Sequence, residues 1–137
     1  MKLTKKQKKI NKKERHMKSK SYAKKQKKKE LNKQDKEWKE KVKLKDNYKC
    51  AICGKESEKG RGKALHVHHI IPREIKELRH DPKNGITLCA RHHKYNYALS
   101  AHKNSLSFFI WMEKNRIEQL EYLKKIIEDM ELYNVID

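Results

Sequence analysis

The sequence is poor in the residues that bend or end regular structure, with only 4 glycines and 2 prolines among 137 residues. Hydrophobic residues make up 35% of the chain, so a large core is excluded and a metal ion would help to hold a small one together. No run of eighteen apolar residues occurs and the N-terminus lacks the apolar stretch of a signal peptide. We therefore expect a cytoplasmic protein without a membrane partner.

Cysteine is scarce as well, and three copies cannot all pair as disulfides within one chain. Two of them form Cys50-x-x-Cys53, and the third begins Cys89-x-x-His92, which His93 follows directly. A pair of ligands at i and i+3 can hold one ion from a single turn, and four such ligands suit tetrahedral structural zinc. The spacing favours His92 as the fourth ligand, with His93 as the alternative.

Acidic residues are few at the start of the chain, where residues 1–45 hold 21 of the 37 Lys and Arg but 5 of the 18 Asp and Glu. Nearly all of the net charge of +19 therefore lies in one segment, which predicts a polyanionic partner and favours nucleic acid. An anionic membrane surface is the weaker alternative, because the segment has few apolar residues to insert. Candidate phosphate contacts of this basic arm are Lys24, Lys25, Lys27 and Lys28.

The basic arm contains no glycine or proline, and Lys, Gln and Glu favour helix. We expect residues 1–30 to be a loose arm that becomes helical on a polyanion, because like charges repel. Residues 31–45 should be a firmer helix, since Leu31, Trp38 and Val42 fall on one face. A disordered, solvating tail is the alternative.

The middle of the chain predicts two short strands and a helix. Residues 64–71 alternate apolar residues with histidines, which is typical of a strand, and the adjacent rings of His68 and His69 should point to opposite faces. Residues 84–88 predict a second strand. A helix should then run from about Ala90 to about Ala101.

The last segment, residues 104–137, predicts one amphipathic helix of some 25 residues. Its apolar residues recur at spacings of three to five. They include Phe109, Met112, Ile117, Leu120, Leu123, Ile127 and Met130. The apolar face must pack against the metal-bound domain, the helix at 31–45 or a second copy of the chain, so a homodimer is one candidate assembly.

The motifs C-x-x-C, VHHIIPR and NGITLC-x-x-HH, in that order, resemble the HNH endonucleases of the ββα-metal class. The resemblance covers about residues 47–100. It implies an α+β fold in which a small zinc-stabilised ββα-metal core, residues 46–103, is flanked by the basic N-terminal helical arm and the long C-terminal amphipathic helix.

The resemblance also implies roles for single residues. His68 and His93 resemble ligands of a catalytic divalent ion, which could be Mg²⁺, Mn²⁺, Ni²⁺ or Zn²⁺. His69 resembles the general base, and Asn84 resembles the middle Asn, which orients the base or lies near the ion. Some relatives have a further histidine where this chain has Tyr97, so the motif supplies no third protein ligand.

The implied activity is hydrolysis of DNA phosphodiester bonds, nicking or cutting a duplex to leave 5′-phosphate and 3′-hydroxyl ends. Arg73, Arg91 and Lys94 are candidate phosphate contacts near the cut. Small stand-alone relatives are often encoded by bacteriophages, so phage or host DNA-processing proteins are candidate partners. The alternative function is a non-catalytic zinc module that binds nucleic acid or protein.

The remaining histidines of this region carry weaker expectations. His66 shares a strand face with His68, but a surface role is favoured for it. His80 in a polar loop and His102 at a helix end are expected to be solvated.

Overall fold

A computed structural model describes residues 2–57 and 65–130. The chain divides into two compact units, Met1–Lys36 and Glu37–Asp137. The first unit contains helix α1, Lys5–Met17, and the start of helix α2, Lys20–Lys45. The Thr4 hydroxyl caps α1 by accepting the Gln7 N–H at 3.2 Å. The segment predicted as a loose arm is thus helical. Within the described ranges, no helix has the length and apolarity needed to cross a bilayer.

The second unit is built around an antiparallel strand pair. Strand β1, His66–His69, pairs with β2, Gly85–Leu88, in a register that sets His68 opposite Ile86 and His69 opposite Gly85. A 3₁₀ turn, Pro82–Asn84, leads into β2 and a single π turn, Arg91–Tyr95, follows it. Helices α3, Ser105–Asn115, and α4, Ile117–Asp129, complete the unit. The predicted α+β class is confirmed.

The core lies between β2 and the C-terminal helices. Every residue of β2 is buried, and Ile86 and Leu88 pack with Phe108, Met112 and Leu120 of α3 and α4. The end of α2 also belongs to this unit, because Trp38 and Val42 are buried. Their burial agrees with the apolar face predicted for residues 31–45.

The prediction of one continuous C-terminal helix was wrong. The helix breaks at Arg116, whose φ of −139° and ψ of 39° are not helical. The Arg116 guanidinium donates to the buried Asp46 carboxylate at 3.0 Å, and the Gln119 amide donates to the Gly85 carbonyl at 2.9 Å. The break therefore lets α4 fold back onto the strand pair. The predicted helical stretch after residue 130 lies outside the described residues.

The helix predicted from Ala90 to Ala101 was also wrong, because only the π turn forms. The backbone becomes extended at Asn96, whose side-chain oxygen accepts the Ala98 N–H at 2.9 Å. The chain then turns back on itself, and the N–H of His102 donates to the carbonyl of His93 at 3.1 Å. This reversal brings residue 102 beside residue 93.

Candidate active site

The first of two candidate metal sites is a group of three thiols and one imidazole. The ligand atoms of Cys50, Cys53, Cys89 and His92 all lie within 4.8 Å of one another. The Cys53 and Cys89 sulfurs are 3.9 Å apart, and His92 Nδ1 lies 3.3 Å from the Cys89 sulfur and 3.7 Å from that of Cys50. A zinc tetrahedron with ordinary Zn–S and Zn–N bonds has edges of about 3.5–3.8 Å, so this cluster fits zinc.

Local backbone geometry forms this cluster. Cys50 and Cys53 lie on one tight turn, the first knuckle, which Gly54 closes with a positive φ of 70°. The Gly54 N–H donates to the Cys50 carbonyl at 2.8 Å. The Ala51 N–H donates to the Thr87 carbonyl at 2.8 Å, which ties that knuckle to β2. A zinc ion would therefore link the segment before β1 to the turn after β2 and stabilise the strand pair between them.

The π turn separates the two adjacent histidines. His92 faces the thiols and is 9% exposed, whereas the His93 ring lies against His68 and His102. The alternative that His93 completes the thiol cluster is thereby excluded. Burial, and then the charge of Arg91, lowers the pKa of His92, so its imidazole is neutral near pH 7 and able to bind a metal ion.

The second candidate metal site consists of His68, His93 and His102, whose ligand nitrogens lie within 4.8 Å of one another. The Nε2 atoms of His93 and His102 are 3.1 Å apart. Two nitrogens bound to one ion at about 2.0–2.1 Å would be about 2.8–3.4 Å apart, from octahedral to tetrahedral geometry. The three imidazoles therefore fit a single divalent ion on the β1 side of the unit.

The protonation of these rings suits metal binding. Burial, followed by the neighbouring charges of His93 and His102, lowers the pKa of His68 to about 3. Burial and the charge of His102 lower the pKa of His93 to about 4. Both rings are thus neutral at pH 7, the form in which imidazole binds a metal ion.

The three imidazoles face an open pocket of about 410 Å³. The residues that line it include the candidate metal ligands, the candidate base His69 and the cation of Arg73, and they come from both faces of β1. The lining consists of Val67, His68, His69, Ile70, Pro72, Arg73, His93 and His102. A phosphate group from solvent could therefore reach the candidate ion site and His69 together.

The contacts of His69 differ from those of His68, His93 and His102. The Nε2 atom of His69 lies 2.9 Å from the Arg79 carbonyl oxygen, which can only accept, so Nε2 carries the proton and donates. The proton-accepting nitrogen of the neutral ring is then Nδ1. The ring also stacks on the Trp38 indole, with 3.8 Å between centroids and 10° between planes.

Asn84 braces the loop that holds His69. Its side chain is fully buried, its amide nitrogen donates to the carbonyls of Ile71 and Leu78 at 3.0 Å each, and its oxygen accepts the Ile71 N–H at 2.7 Å. These bonds close the segment from residue 71 to 84, which includes the Arg79 carbonyl. The contacts of Asn84 are therefore with the loop that holds His69.

The predicted phosphate contacts are distributed unevenly. Arg73 lines the pocket, while Arg91 and Lys94 are exposed on the π turn and do not belong to the lining. In the first unit, the arm residues Lys24, Lys25, Lys27 and Lys28 are all exposed on α2. These positions offer cations to solvent.

Two histidines have contacts that the sequence did not predict. His102 was expected to be solvated, and it is exposed, but its ring joins His68 and His93 in the second candidate metal site. His66 was assigned a surface role, yet it is half-buried and stacks on His93 with 5.1 Å between centroids. The fact that His66 shares a strand face with His68 could have signalled its place, whereas no local pattern marks His102.

Comparison with known families agrees with this geometry. Residues 50–98 match the family model described as HNH endonuclease, which covers 49 of the 137 residues. The match confirms the resemblance to HNH endonucleases that the sequence predicted. Neither the curated proteins nor the solved structures gave a match. Trp38 and His102 lie outside the matched segment, so their place beside its histidines comes from the tertiary structure.

Proposed function

We propose that this protein is a metal-dependent endonuclease that hydrolyses phosphodiester bonds of duplex DNA. The observation that carries the proposal is the meeting of His68, His69, His93 and His102 at one pocket open to solvent. A purely structural zinc module would need only the three thiols and His92. It gives no reason for three clustered imidazoles and a fourth histidine, held by a backbone carbonyl, around one cavity.

His69 acts as the general base. The Arg79 carbonyl fixes the tautomer, so Nδ1 takes a proton from a water molecule as that water attacks the phosphorus in line. Asn84 keeps the carbonyl in place by bonding the same loop. Arg73, which lines the pocket, offers a cation to a phosphate oxygen next to the scissile one.

His68, His93 and His102 would hold the ion. An ion bound there would supply positive charge to neutralise the phosphate and to stabilise the departing 3′ oxygen. Mg²⁺, Mn²⁺, Ni²⁺ and Zn²⁺ are the candidates, and the three imidazoles favour the later transition metals over Mg²⁺. The separate thiol cluster holds a structural zinc.

The basic arm supplies affinity for the DNA backbone. Residues 1–36 carry 17 Lys and Arg against 3 Asp and Glu, and the side chains of Lys24, Lys25, Lys27 and Lys28 are exposed. Contacts of this kind neutralise phosphates without reading bases. The arm should therefore bind DNA of any sequence, and it should bind more weakly as salt is raised.

The test is plasmid cleavage with each candidate ion, with EDTA as the metal-free control. We expect nicked or linear products with the wild type and a loss of roughly 10²–10⁴ in rate for His69→Ala. His68→Ala is the matched variant, because it removes the neighbouring ring of the same strand. Both variants should lose cleavage, but only His68→Ala should also lose affinity for the divalent ion.

DNA binding, measured by fluorescence anisotropy, should be unchanged in His69→Ala. Cleavage by His69→Ala at the wild-type rate would refute the base assignment. A wild-type protein that binds its zinc and its second ion but never cuts DNA would refute the proposal in favour of a non-catalytic zinc module.

A further inference from the structure

His69 is held at its edge and across its face by two different groups. The Arg79 carbonyl accepts from Nε2 at the edge. The indole of Trp38 covers the face, with 3.8 Å between ring centroids and nearly parallel planes. Trp38 belongs to α2, outside the residues that match the HNH family model.

Trp38 is itself fixed in position. Its side chain is 1% exposed, and its Nε1–H donates to the Asp81 carbonyl at 2.8 Å. Asp81 lies two residues after Arg79 in the same loop. The two groups that hold His69 are therefore fixed to one short segment of backbone.

That segment is anchored in turn by α4. The Asp81 carboxylate accepts the Tyr122 hydroxyl at 2.6 Å and the Lys83 N–H at 2.8 Å. These bonds fix the residue whose carbonyl holds the Trp38 indole.

The strand partner of His69 leaves room for the indole. Gly85 pairs with His69, and a Cβ at Gly85 would clash with Val42 and lie 2.8 Å from Cζ2 of Trp38. Only glycine allows the indole to approach β2 this closely. The indole of Trp38 therefore packs directly against β2, beside the strand partner of His69.

We propose that Trp38 is a positioning residue, whose stacked indole fixes the plane of the His69 imidazole so that Nδ1 faces the pocket. This inference rests on the proposed nuclease function. The hydrogen bond at Nε2 fixes the position of one ring atom, whereas the χ2 angle of histidine, which sets the plane of the ring, has only broad minima. A parallel aromatic surface removes that freedom.

The test compares Trp38→Leu with Trp38→Phe in single-turnover cleavage of a DNA duplex at saturating ion. Trp38→Leu fills much of the space but has no flat face, so the single-turnover cleavage rate should fall about tenfold to hundredfold, while the protein concentration that gives half of the maximal rate is unchanged. Trp38→Phe keeps a flat aromatic face but loses the bond to Asp81 and part of the buried ring volume. It should restore most of the rate.

Leu123→Ala is the matched control for reduced stability. Leu123 is also 1% exposed, on α4, and it lines neither the pocket nor the His69 ring. It should lower the melting temperature but leave the cleavage rate unchanged at a temperature where the protein is folded. Equal rate losses in Trp38→Leu and Leu123→Ala would overturn the positioning role, as would a wild-type rate in Trp38→Leu.

A fluorescence measurement tests the stacking without cleavage. The chain has 2 tryptophans, so Trp111→Phe leaves Trp38 as the sole tryptophan, and excitation at the long-wavelength edge avoids the 6 tyrosines. In that background His69→Ala should change the emission of Trp38, and His102→Ala should not. Unchanged emission after His69→Ala would overturn the stacking.

Different results would refute the nuclease function and the positioning role of Trp38. If the wild type cuts and His69→Ala does not, but Trp38→Leu cuts normally, only the positioning role is refuted. If the wild type does not cut, the nuclease function and the positioning role are both refuted.

Discussion

Asn84→Ala should destabilise the second unit, because this buried side chain makes three hydrogen bonds to the loop that holds His69. Truncation removes the Asn84 side chain as a partner of the Ile71 N–H and of the carbonyls of Ile71 and Leu78, although the Leu78 carbonyl still accepts the Asp81 N–H. At roughly 1 kcal/mol for each bond, the free energy of unfolding should fall by about 3 kcal/mol. That is a large share of the roughly 5–15 kcal/mol of an ordinary domain.

Asn84→Asp sharpens the prediction at nearly constant volume. A carboxylate can still accept the Ile71 N–H, but it cannot donate to the two carbonyls, and it buries a charge against them. Its loss of stability should equal or exceed that of Asn84→Ala. Both variants should also slow cleavage, because the Arg79 carbonyl that orients His69 belongs to the loosened loop.

The assay is urea denaturation at fixed excess zinc, followed by circular dichroism. With a slope of roughly 1–3 kcal/mol per molar urea, a decrease of about 3 kcal/mol lowers the midpoint by about 1–3 M.

Thr87→Val is the matched control, because Thr87 is fully buried and its hydroxyl has no hydrogen-bond partner among the described residues. Its midpoint should stay constant or rise. A wild-type midpoint for Asn84→Ala, or an equal fall for Thr87→Val, would refute the reasoning.

Three further predictions concern the metal sites and the arm. His102→Ala should weaken binding of the second divalent ion by at least about tenfold in calorimetric titration, and unchanged affinity would remove His102 from that site. Metal analysis should find zinc in the thiol cluster, and Cys53→Ser should release it and lower the melting temperature; a zinc content that Cys53→Ser leaves unchanged would disprove the cluster. Deleting residues 1–30 should flatten the salt dependence of DNA binding, by about 0.9 in log–log slope for each phosphate that those residues neutralise, and an unchanged slope would exclude the arm as the source of affinity.

Acid should destabilise the protein when the second ion is absent. The pKa values of His68 and His93 are about 3 and about 4 in the folded chain, below the 6.5 of a free histidine. The unfolded chain therefore binds more protons between about pH 6.5 and 4, and the stability must fall as the pH is lowered through that range. Urea midpoints measured with zinc in the thiol cluster should decrease over this interval, and a flat profile would contradict the burial of these rings.

The sequence by itself determined what depends on neighbours along the chain. Spacing at i and i+3 makes each knuckle, and the two-residue period of a strand sends His68 and His69 to opposite faces. The order of the motifs predicted the match to the HNH endonuclease family model, because these segments are short and carry their chemistry locally. The α+β class follows from the same segments.

Only the tertiary structure decided which distant groups meet. His102 reaches His93 because the chain reverses after Asn96, and Trp38 reaches His69 because α2 packs on the strand pair. The break at Arg116 could not be predicted from periodicity, since no glycine or proline marks it and the buried Asp46 carboxylate that pairs with it is 70 residues away. Such contacts form when the burial of apolar surface brings separate segments together, and no local pattern records them.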